Sequence, residues 1–223
     1  MNPLRIGVLG AANIARAFIS GVAPSKSVVV AAVASRDKAK AEAFARETGL
    51  ARALGSYEAL LADPEIDAIY NPLPNTLHAE WSIRALEAGK HVLCEKPLAT
   101  TVADTRAMFA AARKAGRHLV EAYPYRPQAQ TRKLTELIAA GAIGRVQLIR
   151  SSFGVYFDDR SNIRLRPDVG GGALLDAGSY AVSLVQLVTR RRPVRVTATA
   201  QMFESGVDRT TVATLEYADG LLA

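Results

Sequence analysis

Cysteine is almost absent. The 223-residue chain holds Cys94 alone, which excludes an internal disulfide, leaves the fold to stand on packing and suits the reducing cytoplasm. Histidine is nearly as scarce. His78, His91 and His118 lie far apart with no cysteine or carboxylate at ligand spacing, so no metal site is expected. Long apolar runs are missing near the start. The longest there, Val28–Ala34, falls well short of the roughly 20 residues that span a membrane, and no spanning helix is expected. Gly7, Gly10, Asn13 and Arg16 interrupt any signal-peptide core. Neither a G-x-S-x-G nucleophile turn nor a P-loop occurs.

Positive charge is plentiful. The formal net charge is +7 and the isoelectric point about 9.7, but the basic residues are scattered. The one tight cluster, "TRRRP" at 189–193, reads as a solvated helix end, where cations suit the dipole. No aromatic residues interleave with it, so nucleic acid is not an expected partner.

Up to Tyr123, short β-rich runs ("LRIGVL", "VVVAAVAS", "DAIYN", "HVLCEK", "HLVEAY") alternate with Ala- and Glu-rich helical stretches. That rhythm implies βαβ units around a parallel sheet. Ser56 and Thr101 are expected N-caps, with Asp104 approximating a capping box and Gly116 stopping the helix. Pro124 and Pro127 in "YPYRP" disfavour a helix, which places a domain boundary at 123/124. Beyond it a helix over 128–140 leads into "VQLIRSSFGVYF", whose alternation of Ile149, Ser151, Phe153, Val155 and Phe157 predicts a strand. "VRVTATAQ" and "TTVATLEY" alternate likewise. They predict an antiparallel sheet covered on one face by a helix over 173–188. "YADGLLA" is a hairpin signal at Asp219-Gly220 whose second strand has three residues, so this domain is expected to be incomplete. The fold class expected is α/β: a doubly wound parallel sheet over 1–123, then an α+β domain over 124–223 with an open, mostly antiparallel sheet.

"RIGVLGAANIARAF" follows the first predicted strand and opens a helix, where unpaired N–H groups attract an anion. Gly10, Ala12 and Ala15 occupy the three glycine places of a dinucleotide fingerprint, so an ordinary strand-to-helix turn remains the alternative. After the second strand stand Ser35, Arg36 and Lys38 rather than the carboxylate that reads a ribose 2′-hydroxyl. Arg36 suits a 2′-phosphate, which favours NADP over NAD.

With "GVLGAANIA" upstream, "CEKP" at 94–97 and "GGGALLDAGSY" downstream, the chain resembles the Gfo/Idh/MocA oxidoreductase family. "SYEALLADPEIDAIYNPLPNTLHAEW" and "FDDRSNIRL" are similar to the branch of glucose-fructose oxidoreductase, NADP-dependent xylose dehydrogenase and dimeric dihydrodiol dehydrogenase, which implies a sugar-like or polyol substrate. The resemblance implies that Lys96 lies between cofactor and substrate, with Glu95 and Pro97 fixing its approach. It also makes Tyr180, with Asp176 four residues before it, a candidate proton relay beside Lys96, where a lone tyrosine would more often be a core aromatic. Gly10, Ala12, Asn13, Ile14, Pro72, Pro74, Asn75 and His78 are assigned to the cofactor, although His78 can equally face the following helix. Tyr125, Arg126, Asp158, Asn162 and Arg164 are candidate polyol contacts, or merely solvated. "YPYRPQAQ" lacks the branch's histidine after the arginine. The family implies a homo-oligomer through the C-terminal sheet, if that domain is whole, and a truncated NAD(P)-binding module or regulator stands as the alternative function.

Overall fold

The computed structural model describes residues 2–156 and 159–223, and the chain divides into two compact units, Met1–Ala122 and Tyr123–Ala223. Phe157 and Asp158 lie outside the described residues.

The first unit is a six-stranded sheet in the order β3-β2-β1-β4-β5-β6, parallel throughout. Its strands are β1 (Leu4–Leu9), β2 (Val28–Ala34), β3 (Ala53–Leu54), β4 (Ala68–Asn71), β5 (His91–Glu95) and β6 (Leu119–Ala122). The helices are α1 (Asn13–Val22), α2 (Lys38–Thr48), α3 (Tyr57–Ala62), α4 (His78–Glu87) and α5 (Val102–Ala115). Two apolar clusters form the core, one around Ile6, Val8, Val33 and Tyr70, the other around Leu9, Leu60, Ile69 and Leu86. Strands buried on both faces read as unbroken apolar runs, which is why β2 and β4 were legible. The two-residue β3 carried no such run and was missed.

Side chains close three of the helices. Asp37 accepts from Lys40 N at 3.2 Å, Ser56 from Ala59 N at 3.1 Å, and Thr101 from Asp104 N at 3.0 Å. The Thr101 hydroxyl also donates to the Asp104 carboxylate at 2.7 Å, so the expected capping box closes through the hydroxyl rather than through the Thr101 amide. Gly116 ends α5.

The second unit holds α6 (Ala129–Ala139), α7 (Ser179–Thr189) and the antiparallel pair β7 (Arg195–Met202) and β8 (Asp208–Glu216). Three expectations are corrected here. Of the strand predicted over 146–157, whose last residue lies outside the described residues, 146–156 form no strand and make one isolated bridge, Leu148 to Leu222. Ile149 N donates to Leu222 O at 2.9 Å and Leu222 N to Gln147 O at 3.2 Å, but alternation without a longer ladder partner does not make a strand. The helix predicted from 173 begins instead as a π turn, Leu174–Gly178, before continuing as α7. The sheet is covered at one end only: Val185 of α7 packs on Tyr217 and Leu221, while every residue of β7 is exposed.

The Asp219-Gly220 turn forms as expected, with Tyr217 N donating to Leu221 O at 3.0 Å. By length and composition alone, Pro167–Thr189 passes as a membrane span, with mean hydropathy 1.2, which the reading of the N-terminal runs did not register. The π turn breaks it, and it carries Asp168 and Asp176, costly in hydrocarbon.

Candidate active site

Because all six strands of the first unit are parallel, the loops leaving their carboxyl ends share one edge of the sheet. Strand order reverses between β1 and β4, where such folds bind their ligands. Gly10 leaves β1 at that point with φ 80°, a backbone that favours glycine, and a Cβ there would also press on the Leu73 Cδ2 methyl at 2.9 Å. Ala12 is the N-cap of α1, and no side chain caps that helix; nor does an acidic residue stand in its first turn. Its first N–H groups and dipole are therefore offered to an anion, in contrast to the side-chain-closed α2, α3 and α5. Asn13 Oδ1 accepts from Arg16 Nη1 at 2.9 Å, Arg16 is paired with Glu47, and Ile14 is half exposed on the same turn.

After β2, the Ser35 hydroxyl accepts from Asp37 N at 3.2 Å, and Lys38 Nζ lies 3.9 Å from Glu42. Arg36 is exposed, and its charge acts on the phenol of Tyr57, a buried residue absent from the candidates read in the sequence. Burial pushes the Tyr57 pKa up, and the Arg36 charge partly offsets this. Together the open helix end, the glycine turn and the arginine fit a dinucleotide with its diphosphate at α1.

The "CEKP" turn leaves β5 on the same edge, and its neighbours hold it from several sides. Tyr70 donates to Glu95 Oε1 at 2.7 Å, Lys96 N donates to Glu95 Oε2 at 3.3 Å, and Leu98 N donates to Glu121 Oε1 at 2.8 Å. Burial pushes the Cys94 thiol up to about 12, so it is an inert support rather than a nucleophile. His78 is fully buried, its Nδ1 2.8 Å from Pro97 O and its Nε2 2.7 Å from Leu73 O. A neutral imidazole donates to only one of these at a time. Burial foremost holds its pKa below the ordinary histidine value, against the pull of the two carbonyls. The ring thus ties the β4–α4 loop, which carries Pro72, Pro74 and Asn75, to the lysine turn. Enclosed by backbone, its side chain supports both loops.

In the second unit the Tyr180 ring stands edge-on to Tyr123 at 5.2 Å and to Phe153 at 5.3 Å, and tilted to Tyr125 at 6.1 Å. Hydroxyls anchor two of these rings. Tyr123 donates to Ser179 O at 3.2 Å, and Tyr125 bonds Ser183 Oγ at 2.8 Å. Asp176 Oδ2 accepts from Arg164 Nε at 2.6 Å, and Asn162 Oδ1 caps the short turn by accepting from Arg164 N at 3.1 Å. Arg126 stacks over Tyr123 at 5.8 Å. Asp208 was also overlooked. One of its oxygens accepts from Leu174 N at 2.7 Å and from Thr211 Oγ1 at 2.7 Å, and Gly172, at φ 115°, leaves room for the other. It thereby fixes the entry of the π turn that carries Asp176. Among the described residues no cluster of three potential metal ligands occurs.

Residues 4–123 match the model of an oxidoreductase family with an NAD-binding Rossmann fold, and 131–223 match the Gfo/Idh/MocA C-terminal domain. The chain belongs to the Gfo/Idh/MocA family. It is 42% identical over 222 residues to an NADP-named D-xylose 1-dehydrogenase of Haloferax volcanii, covering 99% of this chain and 68% of that protein. Among solved structures, a 3-ketoreductase from Actinomadura kijaniata in complex with NADP and TDP-benzene superposes with a TM-score of 0.91 at 36% identity. It covers 100% of this chain and 69% of its own. An aldose-aldose oxidoreductase from Caulobacter crescentus, complexed with glycerol, gives a TM-score of 0.92 at 32% identity over 99% of this chain and 69% of its own. The chain spans 54% to 68% of the length of eight curated relatives, the D-xylose dehydrogenase among them.

Within this Gfo/Idh/MocA chain, tertiary contacts revealed Tyr57, Glu121 and Asp208. Each acts by bracing a loop, and bracing leaves no mark in sequence spacing.

Proposed function

We propose that this protein is an NADP-dependent oxidoreductase interconverting a sugar, polyol or related cyclic alcohol and its carbonyl form. The observation that carries the reading is the uncapped amino terminus of α1 at the Gly10 turn, on the sheet edge from which Lys96 leaves β5. Arg36 and Ser35 at the end of β2 favour NADP over NAD, with Gly10, Ala12, Asn13 and Ile14 lining the diphosphate and Lys38, Pro72, Pro74, Asn75 and Glu95 bordering the nucleotide. The relatives' names point the same way: one is NADP-dependent on xylose, another was solved with NADP.

When bound, the nicotinamide supplies or accepts the hydride. The chain's own residues handle the oxygen. The Lys96 ammonium donates to it and stabilises its developing charge, the Tyr180 phenol gives or takes its proton, and Asp176 orients the substrate by holding Arg164. Residues 1–123 serve as the nucleotide domain and 124–223 as the substrate domain, with Tyr125, Arg126 and Asn162 as further substrate contacts. A cytoplasmic setting suits the single buried thiol. Self-association is assigned to the C-terminal sheet, where Val196, Met202 and Val212 are exposed.

The decisive experiment is Lys96→Ala, assayed by nicotinamide absorbance over an aldose panel with parallel measurement of NADPH affinity. Turnover should fall by on the order of 10²- to 10³-fold with affinity retained. Normal turnover in the variant removes Lys96 from the mechanism. Binding without turnover in the unaltered chain would make it a nucleotide-binding module.

A further inference from the structure

Tyr70 lies on β4 beside Val8 of β1 and Leu93 of β5, and only 1% of it is exposed. Its ring stacks on Phe18 of α1, the centroids 4.0 Å apart and the planes 20° from parallel. A ring packed in this way keeps one rotamer, so its hydroxyl is a fixed point. That hydroxyl donates to Glu95 Oε1 at 2.7 Å, and Glu95 Oε2 accepts the Lys96 amide at 3.3 Å. Bonds from a hydroxyl to a carboxylate are shorter and stronger than those between neutral groups. The half-buried Glu95 side chain would otherwise sample many rotamers. With both oxygens engaged, it becomes a strut from the core to the lysine backbone. The same ring packs on α1, the helix whose uncapped end opens at the Gly10 turn, so the phosphate turn and the lysine turn share one buried support.

We propose that Tyr70 is a positioning residue for hydride transfer: through the Glu95 carboxylate it fixes the backbone of the lysine turn, and with it the aim of the Lys96 ammonium. The inference rests on the oxidoreductase reading above and adds the buried residue that presets its lysine. Misplacing such a group by about 1 Å can cost on the order of 10²-fold in rate.

Tyr70→Phe keeps the ring and its stack on Phe18 and removes only the hydroxyl. Two measurements on the whole chain read the change. Without nucleotide, amide hydrogen exchange followed by NMR should quicken at Lys96 by about five- to fiftyfold. Val92, whose amide donates to His118 O at 2.8 Å on the same strand, reports any loosening of the fold and should change by less than about twofold. At saturating nucleotide, kcat over the aldose panel should fall by about five- to fiftyfold, with NADPH affinity within about twofold of that of the unaltered chain. Glu95→Ala should quicken Lys96 exchange as much, and adding Tyr70→Phe to it should then change neither reading further, because the hydroxyl acts through the carboxylate. Unchanged exchange at Lys96, or equal quickening at Lys96 and Val92, overturns the inference while the oxidoreductase reading stands. So does quickened exchange with unaltered kcat, or a Tyr70→Phe chain that does not fold. Absence of turnover in the unaltered chain overturns the oxidoreductase reading and takes this inference with it.

Discussion

The two units hold their candidate residues by different means. In the first, Gly10 and Lys96 sit on loops rooted in strands that give Val8, Leu9, Val92 and Cys94 to the core; hydrogen bonds from His78 and Glu121 brace the lysine turn, and the Tyr57 hydroxyl lies under the phosphate turn. In the second, the buried cluster is Val185, Tyr217 and Leu221, and β7 is exposed along its whole length. There Tyr180 is positioned by other aromatic rings and Asp176 by an ion pair. A core-rooted loop resists displacement because moving it exposes apolar surface, whereas an exposed ion pair contributes only about 0–1 kcal/mol. The geometry of the nucleotide half is accordingly the more rigid of the two.

Core truncation should separate the units most strongly. Leu60 is fully buried and packs directly against Gly7, so Leu60→Ala should cost about 2–5 kcal/mol, read from the urea midpoint of Trp81 emission. A cost below about 1 kcal/mol would mean that the first unit is no better packed than the second.

Acidification comes next, and it should act on the first unit, which holds all three histidines. Burial foremost, with the His118 and Arg117 charges, holds the His91 pKa below its ordinary value, and its Nδ1 accepts the His118 amide at 3.0 Å. Burial holds His78 down likewise. The unfolded chain then takes up protons first, so stability is complete above the ordinary value of about 6.5 and is lost as pH falls below it. Urea midpoints at a series of pH values test this. A rise on acidification would show that His78 carries its proton and donates to both carbonyls. In the second unit, Asp159, Asp168 and Asp219 have lowered pKa values, each through side-chain hydrogen bonds foremost, so their contribution is present above about 4 and lost only below it.

Thr101→Ala removes the cap of α5 and should cost about 1 kcal/mol by the same urea measurement. Smallest of all should be Val212→Ala. The side chain is 67% exposed, and the change should stay within about 0.5 kcal/mol in thermal unfolding. A substantially larger cost would mean that another copy of the chain covers this face in solution.

Legibility followed the range of the interaction. The capping residues Ser56 and Thr101, the turn glycines Gly10 and Gly220 and the apolar strands β2 and β4 act within a few residues of themselves, so spacing alone exposed them. The 146–157 segment alternates as a strand should, yet pairing depends on a distant partner, and the pattern by itself could not supply one. His78 shows the same limit. As a residue it suggested a cofactor contact or a place facing the following helix alike, and only the fold set both its ring nitrogens against Pro97 and Leu73 carbonyls.

By itself the sequence determined the parallel α/β class, the phosphate turn, the lysine turn and the family, because periodicity, caps and glycine positions are local properties of the backbone. Tertiary structure alone decided which side chains brace those turns and how much of the second unit is buried. Tyr57 and Gly10, or Asp208 and Leu174, are distant in sequence, and no local rule brings them together before the chain has folded.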